Sequence, residues 1–505
     1  MPGKVFLSQT HAVFSVETAS RNAHGEPFHL FPGPKAQRPT LTIVHTSRSP
    51  KRNDMPARFV IIGNGAAGLS AAEAIRQHDA QASITLLTPE PYLFYSRPGL
   101  AYYLAKEIPW RQVIARTESY YKEHRFELVH QRCERILPQE HEVVLADERR
   151  LRYDRLLIAT GSRAVPAPFP GGDLDGVVYL DTLNQAKDIV RRTRKAKRAI
   201  VVGGGVTALE LVEGFHARGV HVHYLMRRER YWSALLSPEE SRIIEQRLEA
   251  MGVQIHRQTH IQSLVGKKGR VVQAKLSNGS ALACDLVGVA IGVRPNIRLA
   301  LDAGLRCERG VLVDEHLRTS DPDIFAAGDV AQIRDRWSGE YRSDSLWPSA
   351  VASGRAAGAN MAGIDEPYEK GVPFNVTRLC GVMLTAIGQA AAQRTPDEKH
   401  LEISRGASQV WTALPTGRYL RFQRKTGVNS VRLLVRDHQL VGALVMGDQA
   451  LVTPLIELIG AGVDISPILP QLQDANTPLS ESLEPFWRAW KTRKEHHATG
   501  PENRT

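Results

Sequence analysis

Two glycine-rich segments contain the residues whose types and spacing could do chemistry in this chain. In the pattern G-x-G-x-x-G, the first glycine permits a tight turn after a strand, and the second lets the backbone approach a pyrophosphate. The third small residue lets the following helix pack on the strand, and free N–H groups at the start of that helix bind phosphate. Two such segments predict two bound dinucleotides, an arrangement that favours electron transfer between them. Their small residues are Gly63, Gly65 and Gly68 in VIIGNGAAGLSAA, and Gly203, Gly205 and Ala208 in AIVVGGGVTALELVEGF.

Each segment needs a strand before it and a helix after it. The runs 59–62 and 199–202 are short, apolar and rich in β-branched residues, which predicts buried strands of parallel sheets. Stretches rich in Ala and Leu follow both runs and predict helices. An ordinary turn between a strand and a helix is the alternative for either segment taken alone. The first-turn residues that we expect at the phosphates are Ala66 and Ala67 in the first segment, and Val206 and Thr207 in the second.

The residues after the second strand of each unit distinguish the nucleotides. An acidic residue about 20 residues after the glycines bonds the ribose 2′-hydroxyl of NAD, whereas arginines accommodate the 2′-phosphate of NADP. In the first unit Thr88 stands near this position, and Glu90 is the predicted ribose ligand. In the second unit Met226 is followed by Arg227 and Arg228. The sequence therefore favours NADPH, while NADH stays open because the arginines could also be a solvated strand end.

Composition argues against several other classes of protein. The chain has 505 residues and a net charge of +12, and its apolar content of 42% is ordinary for a globular protein. Four cysteines without short spacing argue against a disulfide framework and a metal or iron–sulfur site, and they fit the cytoplasm. No run of residues is apolar enough to span a bilayer, and no nucleic-acid-binding motif accompanies the positive charge. An acidic protein is a partner that this charge would attract.

Two later motifs complete a resemblance to a known family. YDRLLIATGS contains Ala159, Thr160 and Gly161, and TSDPDIFAAGDV contains Gly328 and Asp329. With the two glycine segments they resemble the FAD-dependent pyridine nucleotide oxidoreductases, a group that includes glutathione reductase, NADH oxidases and ferredoxin reductases. The resemblance implies that these residues bind FAD and that Asp329 bonds its ribityl chain. It also implies an α/β fold with two Rossmann-like nucleotide-binding domains, in which the NAD(P) domain interrupts the FAD domain, plus a small α+β C-terminal domain.

The segment EPYLFYSRPGLAYYL departs from the thiol-dependent members of this family. The chain has no C-x4-C pair, and Pro98 stands where cysteine-dependent NADH oxidases carry their cysteine. Tyr102 stands where ferredoxin reductases have a lysine. The segment instead resembles the flavin domains of assimilatory nitrite reductases and of rubredoxin reductases, which implies that Arg97 and Pro98 line the flavin. By this resemblance no thiol takes part in the reduction.

Two further side chains are predicted near the reacting rings. The resemblance implies that Glu210 lies beside the nicotinamide and the flavin, where a carboxylate would bond the carboxamide and fix which ring face is presented. The alternative for Glu210 is a first-turn glutamate favoured by the helix dipole. Trp347 is predicted to pack near the flavin edge, with a plain core position as its alternative. The helix after Asp329 is expected to approach the flavin site closely through small residues, which are Ala350, Gly354, Ala357 and Gly358.

The motifs divide the chain into predicted segments. Residues 1–55 are expected to be a disordered extension, or sequence upstream of a start at Met55. The resemblance covers about the 300 residues that follow, and the short alternating strands after it indicate a compact module that the family uses as an interface domain. The predicted segments are an FAD-binding domain at 56–172 and 292–366, an NAD(P)-binding domain at 173–291, an α+β interface domain at 367–478 and a basic aromatic tail at 479–505.

The sequence therefore predicts an FAD-dependent oxidoreductase that takes hydride from NADPH or NADH. Its expected electron acceptor is a small acidic iron–sulfur protein such as a ferredoxin or a rubredoxin. Two alternatives stay open: an NAD(P)H oxidase or quinone-type reductase that uses oxygen or a small molecule, and a flavoprotein subunit of a larger complex. The predicted interface domain is compatible with a homodimer, which the sequence does not decide.

Overall fold

Five parallel strands form the sheet that carries the first glycine segment. The computed structural model describes residues 56–335, 339–390 and 419–498, so the predicted extension 1–55 and the end of the tail lie outside the described residues. Because the carboxyl ends of parallel strands meet at one edge, Gly63, Thr88 and Ala159 follow three neighbouring strands there. In spatial order the strands are β19 (Ile324–Ala326), β7 (Arg155–Ile158), β1 (Arg58–Ile62), β2 (Ser83–Leu87) and β3 (Phe126–Val129).

Two helices cross in close contact beside this sheet. Helix α1 (Ala66–His78) begins directly after the glycine turn and packs on helix α8 (Trp347–Met361). A Cβ on Gly354 would lie 2.2 Å from the carbonyl oxygen of Ala67, so the two backbones approach as closely as glycine allows. Gly354 and Gly358 thus let α8 contact α1, whereas Ala350 of the same helix lines the cavity described below.

Smaller elements complete the first nucleotide-binding unit. The pairing of β8 with β17 joins the segment that leaves this unit to the segment that returns to it. The helices are α2 (Gly99–Leu104), α3 (Glu118–Glu123) and α7 (Arg298–Asp302), and the strands are β4 (Cys133–Leu137), β5 (Glu142–Leu145), β6 (Arg150–Arg152), β8 (Ser162–Ala164), β17 (Val293–Pro295), β18 (Val311–Leu312), β20 (Ala331–Arg334) and β21 (Tyr341–Arg342).

A second sheet of five parallel strands repeats the arrangement for the second glycine segment. Two parallel α/β units of this kind confirm the predicted fold class. The strands in spatial order are β12 (Gln254–His256), β11 (His221–Leu225), β10 (Arg198–Val202), β16 (Leu286–Val289) and β9 (Val177–Val178). The other elements of this unit are α4 (Leu183–Thr193), α5 (Val206–Ala217), α6 (Pro238–Ala250), β13 (Ile261–Lys267), β14 (Arg270–Leu276) and β15 (Ala281–Ala283).

Local sequence signals place two boundaries in this second unit. The Ser237 side chain accepts a hydrogen bond from the Glu240 N–H, and the Glu240 side chain accepts one from the Ser237 N–H. This capping box starts α6 at Pro238. The turn at Gly279 lies between the antiparallel strands β14 and β15, where its φ of +82° favours glycine.

The last part of the chain forms an antiparallel sheet covered by helices. Phe486, Trp487 and Trp490 of the last helix pack on the apolar cluster of this sheet, so the aromatic residues of the predicted tail cover the protein's own surface. No helix in the described ranges is long and apolar enough to cross a membrane. The elements are β22 (Phe374–Leu379), β23 (Val382–Gly388), β24 (Tyr419–Thr426), β25 (Asn429–Arg436), β26 (Gln439–Met446), α9 (Val452–Gly460), α10 (Leu469–Gln473) and α11 (Leu479–Ala498).

Candidate functional site

One elongated cavity of about 1040 Å³ collects most of the residues that the sequence predicts to bind a cofactor. It runs from the first glycine turn to the start of α5 in the second unit, so both nucleotide-binding units contribute to it. The predicted residues that line it are Gly63, Gly65, Ala66, Ala67, Glu90, Arg97, Pro98, Ala159, Thr160, Gly161, Val206, Thr207, Glu210, Gly328, Asp329 and Trp347. Gly68, Gly203, Gly205, Ala208, Arg227 and Arg228 lie outside this lining.

The first glycine turn has the space that a pyrophosphate needs. Gly63 has a φ of +125°, and a Cβ there would lie 2.2 Å from the carbonyl oxygen of Ala159. A Cβ at Gly68 would lie 1.9 Å from the carbonyl oxygen of Gly63, so both positions exclude every side chain. A Cβ at Gly65 would meet nothing within 4 Å, and Gly65 faces the cavity at the start of α1. The turn therefore fits a dinucleotide whose phosphates approach the backbone at Gly65.

The carboxylate of Asp329 is oriented by residues from other elements. The hydroxyl of Ser162 donates to Asp329 Oδ2 at 2.6 Å. The preceding residue, Gly328, has a φ of +75°, and its N–H donates to the Ser353 hydroxyl of α8 at 3.1 Å. Ser162 ends the motif YDRLLIATGS, but its contact with Asp329 and that of Ser353 with Gly328 could not be predicted, because each joins segments far apart in the chain. The result is a fixed acceptor group at the cavity wall.

A hydrogen-bonded network surrounds Arg97 at the middle of the cavity. Glu90 Oε1 lies 3.4 Å from the Arg97 guanidinium, and the Tyr95 hydroxyl donates to Glu90 Oε2 at 2.8 Å. Arg97 also donates to the backbone carbonyl of Asp181, which belongs to the second unit's sequence. Burial raises the pKa of Tyr95 far above its usual range, so this hydroxyl remains a donor at neutral pH. Tyr95 and Asp181 were not predicted, and they couple Arg97 to the neighbouring unit.

Trp347 lies at the cavity wall as the first residue of α8. Its ring centre is 5.7 Å from that of Phe94, and it packs against the edge of the first hydrophobic core. One part of this side chain therefore packs on the core and another part lines the cavity, and its place near the flavin edge stays a prediction.

The second glycine turn has the same construction as the first. Gly203 has a φ of +145°, and a Cβ there would lie 2.2 Å from the carbonyl oxygen of Ala290. A Cβ at Gly204 would meet nothing within 4 Å, so the turn is open on that side. Gly205 is the N-cap of α5, and Ala208 is fully buried in the first turns of this helix. The helix start therefore offers its free N–H groups at the same sheet edge as the glycines.

Arg227 and Arg228 lie next to this turn. Strands β10 and β11 are parallel neighbours with Val202 opposite Leu225, so the residues that follow them emerge side by side. Both arginine residues are exposed, and the backbone there is held by a hydrogen bond from the Gln258 N–H to the Arg228 carbonyl at 3.2 Å. The two arginines therefore lie at the sheet edge that carries the second glycine turn, and their contact with a nucleotide stays a prediction.

Glu210 marks the place where the two units and the C-terminal sheet meet. It lines the cavity together with Val206 and Thr207 of the same helix. Residues 375–377 of β22, a strand that contacts α5, line the same cavity. The sequence does not indicate this contribution of β22, since nothing in its pattern distinguishes it from an ordinary strand.

The model of the pyridine nucleotide-disulphide oxidoreductase family matches residues 57–354. The chain belongs to this family. It is therefore an oxidoreductase that uses FAD and NADH or NADPH, which confirms the predicted family, enzyme class and cofactors. Its four cysteines are free thiols, and Pro98 occupies the wall position at which the thiol-dependent members of the family were expected to differ.

Several characterised relatives match most of their own length. A rubredoxin–NAD(+) reductase of Pseudomonas putida is 30% identical over 311 residues, which is 61% of this chain and 81% of the relative. The ferredoxin–NAD(+) reductase component of the 3-phenylpropionate/cinnamic acid dioxygenase of Photorhabdus laumondii is 31% identical over 338 residues, which is 66% of this chain and 85% of the relative. The crystal structure of a ferredoxin reductase from Rhodopseudomonas palustris superimposes with a TM-score of 0.73 at 25% identity, covering 84% of this chain and 99% of that chain.

Proposed function

We propose that the protein transfers electrons from NAD(P)H, through bound FAD, to a small iron–sulfur protein. The observation that carries this proposal is the shared cavity, to which the first glycine turn, Arg97 and Asp329 contribute from one unit and Glu210 from the other. A cavity common to both units allows the reacting rings of two cofactors to meet. The relatives named as rubredoxin and ferredoxin reductases support an iron–sulfur protein as the acceptor.

The residues of the first unit would hold FAD. The backbone from Gly65 to Ala67 would bind the pyrophosphate at the start of α1, and Asp329 would accept hydrogen bonds from the ribityl hydroxyls. Arg97 and Pro98 would line the ring system. Because the Glu90 carboxylate already contacts Tyr95 and Arg97, we assign to it the support of Arg97 in place of the predicted ribose contact.

The chain's own contribution to the reaction is orientation and electrostatics. The chemistry supplied by FAD at this site would be the acceptance of hydride and the release of single electrons, which would link a nicotinamide to a one-electron acceptor. Glu210 would accept a hydrogen bond from the carboxamide of the nicotinamide and so fix which ring face is presented. Val206 and Thr207, at the start of α5, would bind the phosphates of the nicotinamide nucleotide.

The proposal also includes the cellular compartment, the charge of the partner and the domain bounds. Free thiols at all four cysteines fit the reducing cytoplasm. The net charge of +12 complements an acidic ferredoxin or rubredoxin. We keep 56–172 and 292–366 as the FAD domain and 173–291 as the NAD(P) domain, since the pairing of β8 with β17 joins the flanking segments. A homodimer is the assembly to test by light scattering.

The proposed function is tested by reducing the purified holoprotein without oxygen. NADPH or NADH should bleach the flavin absorbance, and adding a ferredoxin or rubredoxin should restore it within the time of a turnover. Fast reoxidation by oxygen alone, with no gain from either protein, would favour an oxidase. A flavin that neither nucleotide reduces would contradict the proposal.

The nucleotide preference should depend on the two arginines after β11. Replacing Arg227 and Arg228 together by alanine should raise KM for NADPH about ten- to a hundredfold, because charge-assisted hydrogen bonds to the 2′-phosphate are lost. KM for NADH should change less than about threefold. The matched control is Arg230→Ala, because the Arg230 guanidinium is already bonded to the Leu236 carbonyl at 3.2 Å. Equal losses for both nucleotides would contradict a phosphate contact.

A further inference from the structure

A cluster of charged side chains lies behind Glu210, between α5 and the C-terminal sheet. Arg378 of β22 donates to the Glu107 carboxylate, and its guanidinium lies 5.1 Å from the centre of the Tyr102 ring. Glu213 also faces this guanidinium, and Glu210 faces both Glu213 and Tyr102. We name these five residues, Tyr102, Glu107, Glu210, Glu213 and Arg378, the Arg378 cluster. The Glu107 and Glu213 carboxylates thus share the Arg378 guanidinium, close to the Glu210 carboxylate that lines the cavity.

Glu213 does not line the cavity, whereas Glu210 of the same helix does. It follows Glu210 by three residues, which places both side chains on the same side of α5. Its carboxylate accepts a hydrogen bond from the Cys380 N–H in the turn between β22 and β23. A Cβ on the next residue, Gly214, would lie 2.8 Å from the Cβ of Leu104, so α2 packs directly on this part of α5. Glu213 is therefore enclosed by α2, α5 and β22.

The surroundings of Glu213 oppose its negative charge at neutral pH. Burial is the largest effect and raises its pKa to about 7, and the Glu210 and Glu107 carboxylates act in the same direction. Arg378 and the Cys380 N–H act in the opposite direction. A small change in nearby charge therefore changes the protonation of this carboxyl group near pH 7.

The other titratable groups that face Glu213 do not titrate in this range. Burial raises the pKa of the Cys380 thiol to about 12 and that of the Tyr231 hydroxyl well above its usual value. The pKa of Tyr102 is also raised by burial. These three groups stay neutral near pH 7, and the Arg378 guanidinium stays charged.

We propose that Glu213 is a positioning residue that releases its proton when the positively charged ring of an oxidised nicotinamide occupies the site beside Glu210. The O–H bond of the carboxyl group breaks, the proton passes to the solvent, and nothing is oxidised or reduced in this step. An ionised Glu213 adds negative charge behind Glu210, which favours the cationic ring over the neutral ring of the reduced nucleotide. The inference rests on the proposed function, through the place of Glu210 beside the nicotinamide.

The test counts protons during nucleotide binding to the oxidised holoprotein. Titration calorimetry of NAD⁺ and of NADP⁺, in buffers with different ionisation enthalpies, measures the protons released. Binding of the oxidised nucleotide that the protein accepts should release about half a proton per site from the protein near pH 7. ADP-ribose and its 2′-phosphate, which lack the nicotinamide ring, should release none from this group. Glu213→Gln should abolish the release.

Two neighbouring variants test the assignment without changing Glu213. Arg378→Met removes a cation and should move the pH of maximal release up by about one unit, whereas Glu107→Gln removes a competing anion and should move it down. These opposite shifts identify Glu213 as the source of the proton even where Glu213→Gln fails to fold. Release that persists in Glu213→Gln, or no release from the wild type between pH 6 and 8, would overturn the inference. Absence of flavin bleaching by NAD(P)H is a separate result that contradicts the proposed function.

Discussion

A Gly203→Ala variant should keep its FAD and lose its reduction by NAD(P)H. Its new Cβ would lie 2.2 Å from the Ala290 carbonyl oxygen, at a φ of +145° that side chains rarely adopt. The turn must shift, and the N–H groups at the start of α5 move away from the phosphates they are proposed to bind. Strain of about 3 kcal/mol corresponds to a loss of about a hundredfold in nucleotide affinity. The measurement is KM for NADPH and NADH in anaerobic flavin reduction.

Gly204→Ala is the matched control for this prediction. A Cβ at Gly204 would meet nothing within 4 Å, and its φ lies outside the range that requires glycine. This variant should keep KM within about threefold of the wild type. FAD content, measured by absorbance after gel filtration, should be unchanged in both variants, because the first glycine turn is untouched. Equal losses in the two variants would show that any added methyl group is harmful and that the geometry at Gly203 is not the cause.

A Gly354→Leu variant should lose bound FAD and fold less stably. A Cβ at this position would already lie 2.2 Å from the Ala67 carbonyl oxygen, so a leucine side chain forces α8 away from α1. Overpacking of this kind costs about 3 kcal/mol of unfolding free energy. Ala67 belongs to the first turn of α1, so its displacement also disturbs the proposed pyrophosphate site. Denaturant unfolding and the ratio of flavin to protein absorbance measure the two effects.

The control for Gly354 lies on the same helix. Ala352 is exposed, so Ala352→Leu adds the same side chain to α8 without a clash. Its unfolding free energy should change by no more than about 0.5 kcal/mol, and its FAD content should stay at the wild-type level. If Gly354→Leu kept a full complement of FAD, the close approach of α1 and α8 would not be what holds the first glycine turn in place.

Local signals made much of this fold predictable. The strands before Gly63 and Gly203 are apolar and short, and the glycines after them have φ values of +125° and +145°, which only glycine adopts easily. The start of α6 at Pro238 follows from the Ser237–Glu240 capping box, whose partners are close in sequence. In each case the physical cause lies within a few residues, so the sequence alone is sufficient to show it.

The side chains that complete the cavity were not predictable in this way. Ser162 reaches Asp329 across 167 residues of sequence, and Arg378 reaches Glu107 across 271. Glu90, whose predicted bond to a ribose stays a prediction, contacts Tyr95 and Arg97, since a carboxylate bonds whichever donors the fold brings to it. None of these contacts leaves a periodicity or a spacing in the sequence.

The sequence by itself determined the two dinucleotide-binding units, because a glycine turn and its helix are local structures with strict steric demands. Only the tertiary structure decided which residues share the cavity and which support them. The packing of α2 on α5 at Gly214 and the arrival of β22 beside Glu210 place Glu213 among groups that raise its pKa to about 7. The reason is physical: burial and the sum of nearby charges depend on the whole fold, whereas a turn depends on its own few residues.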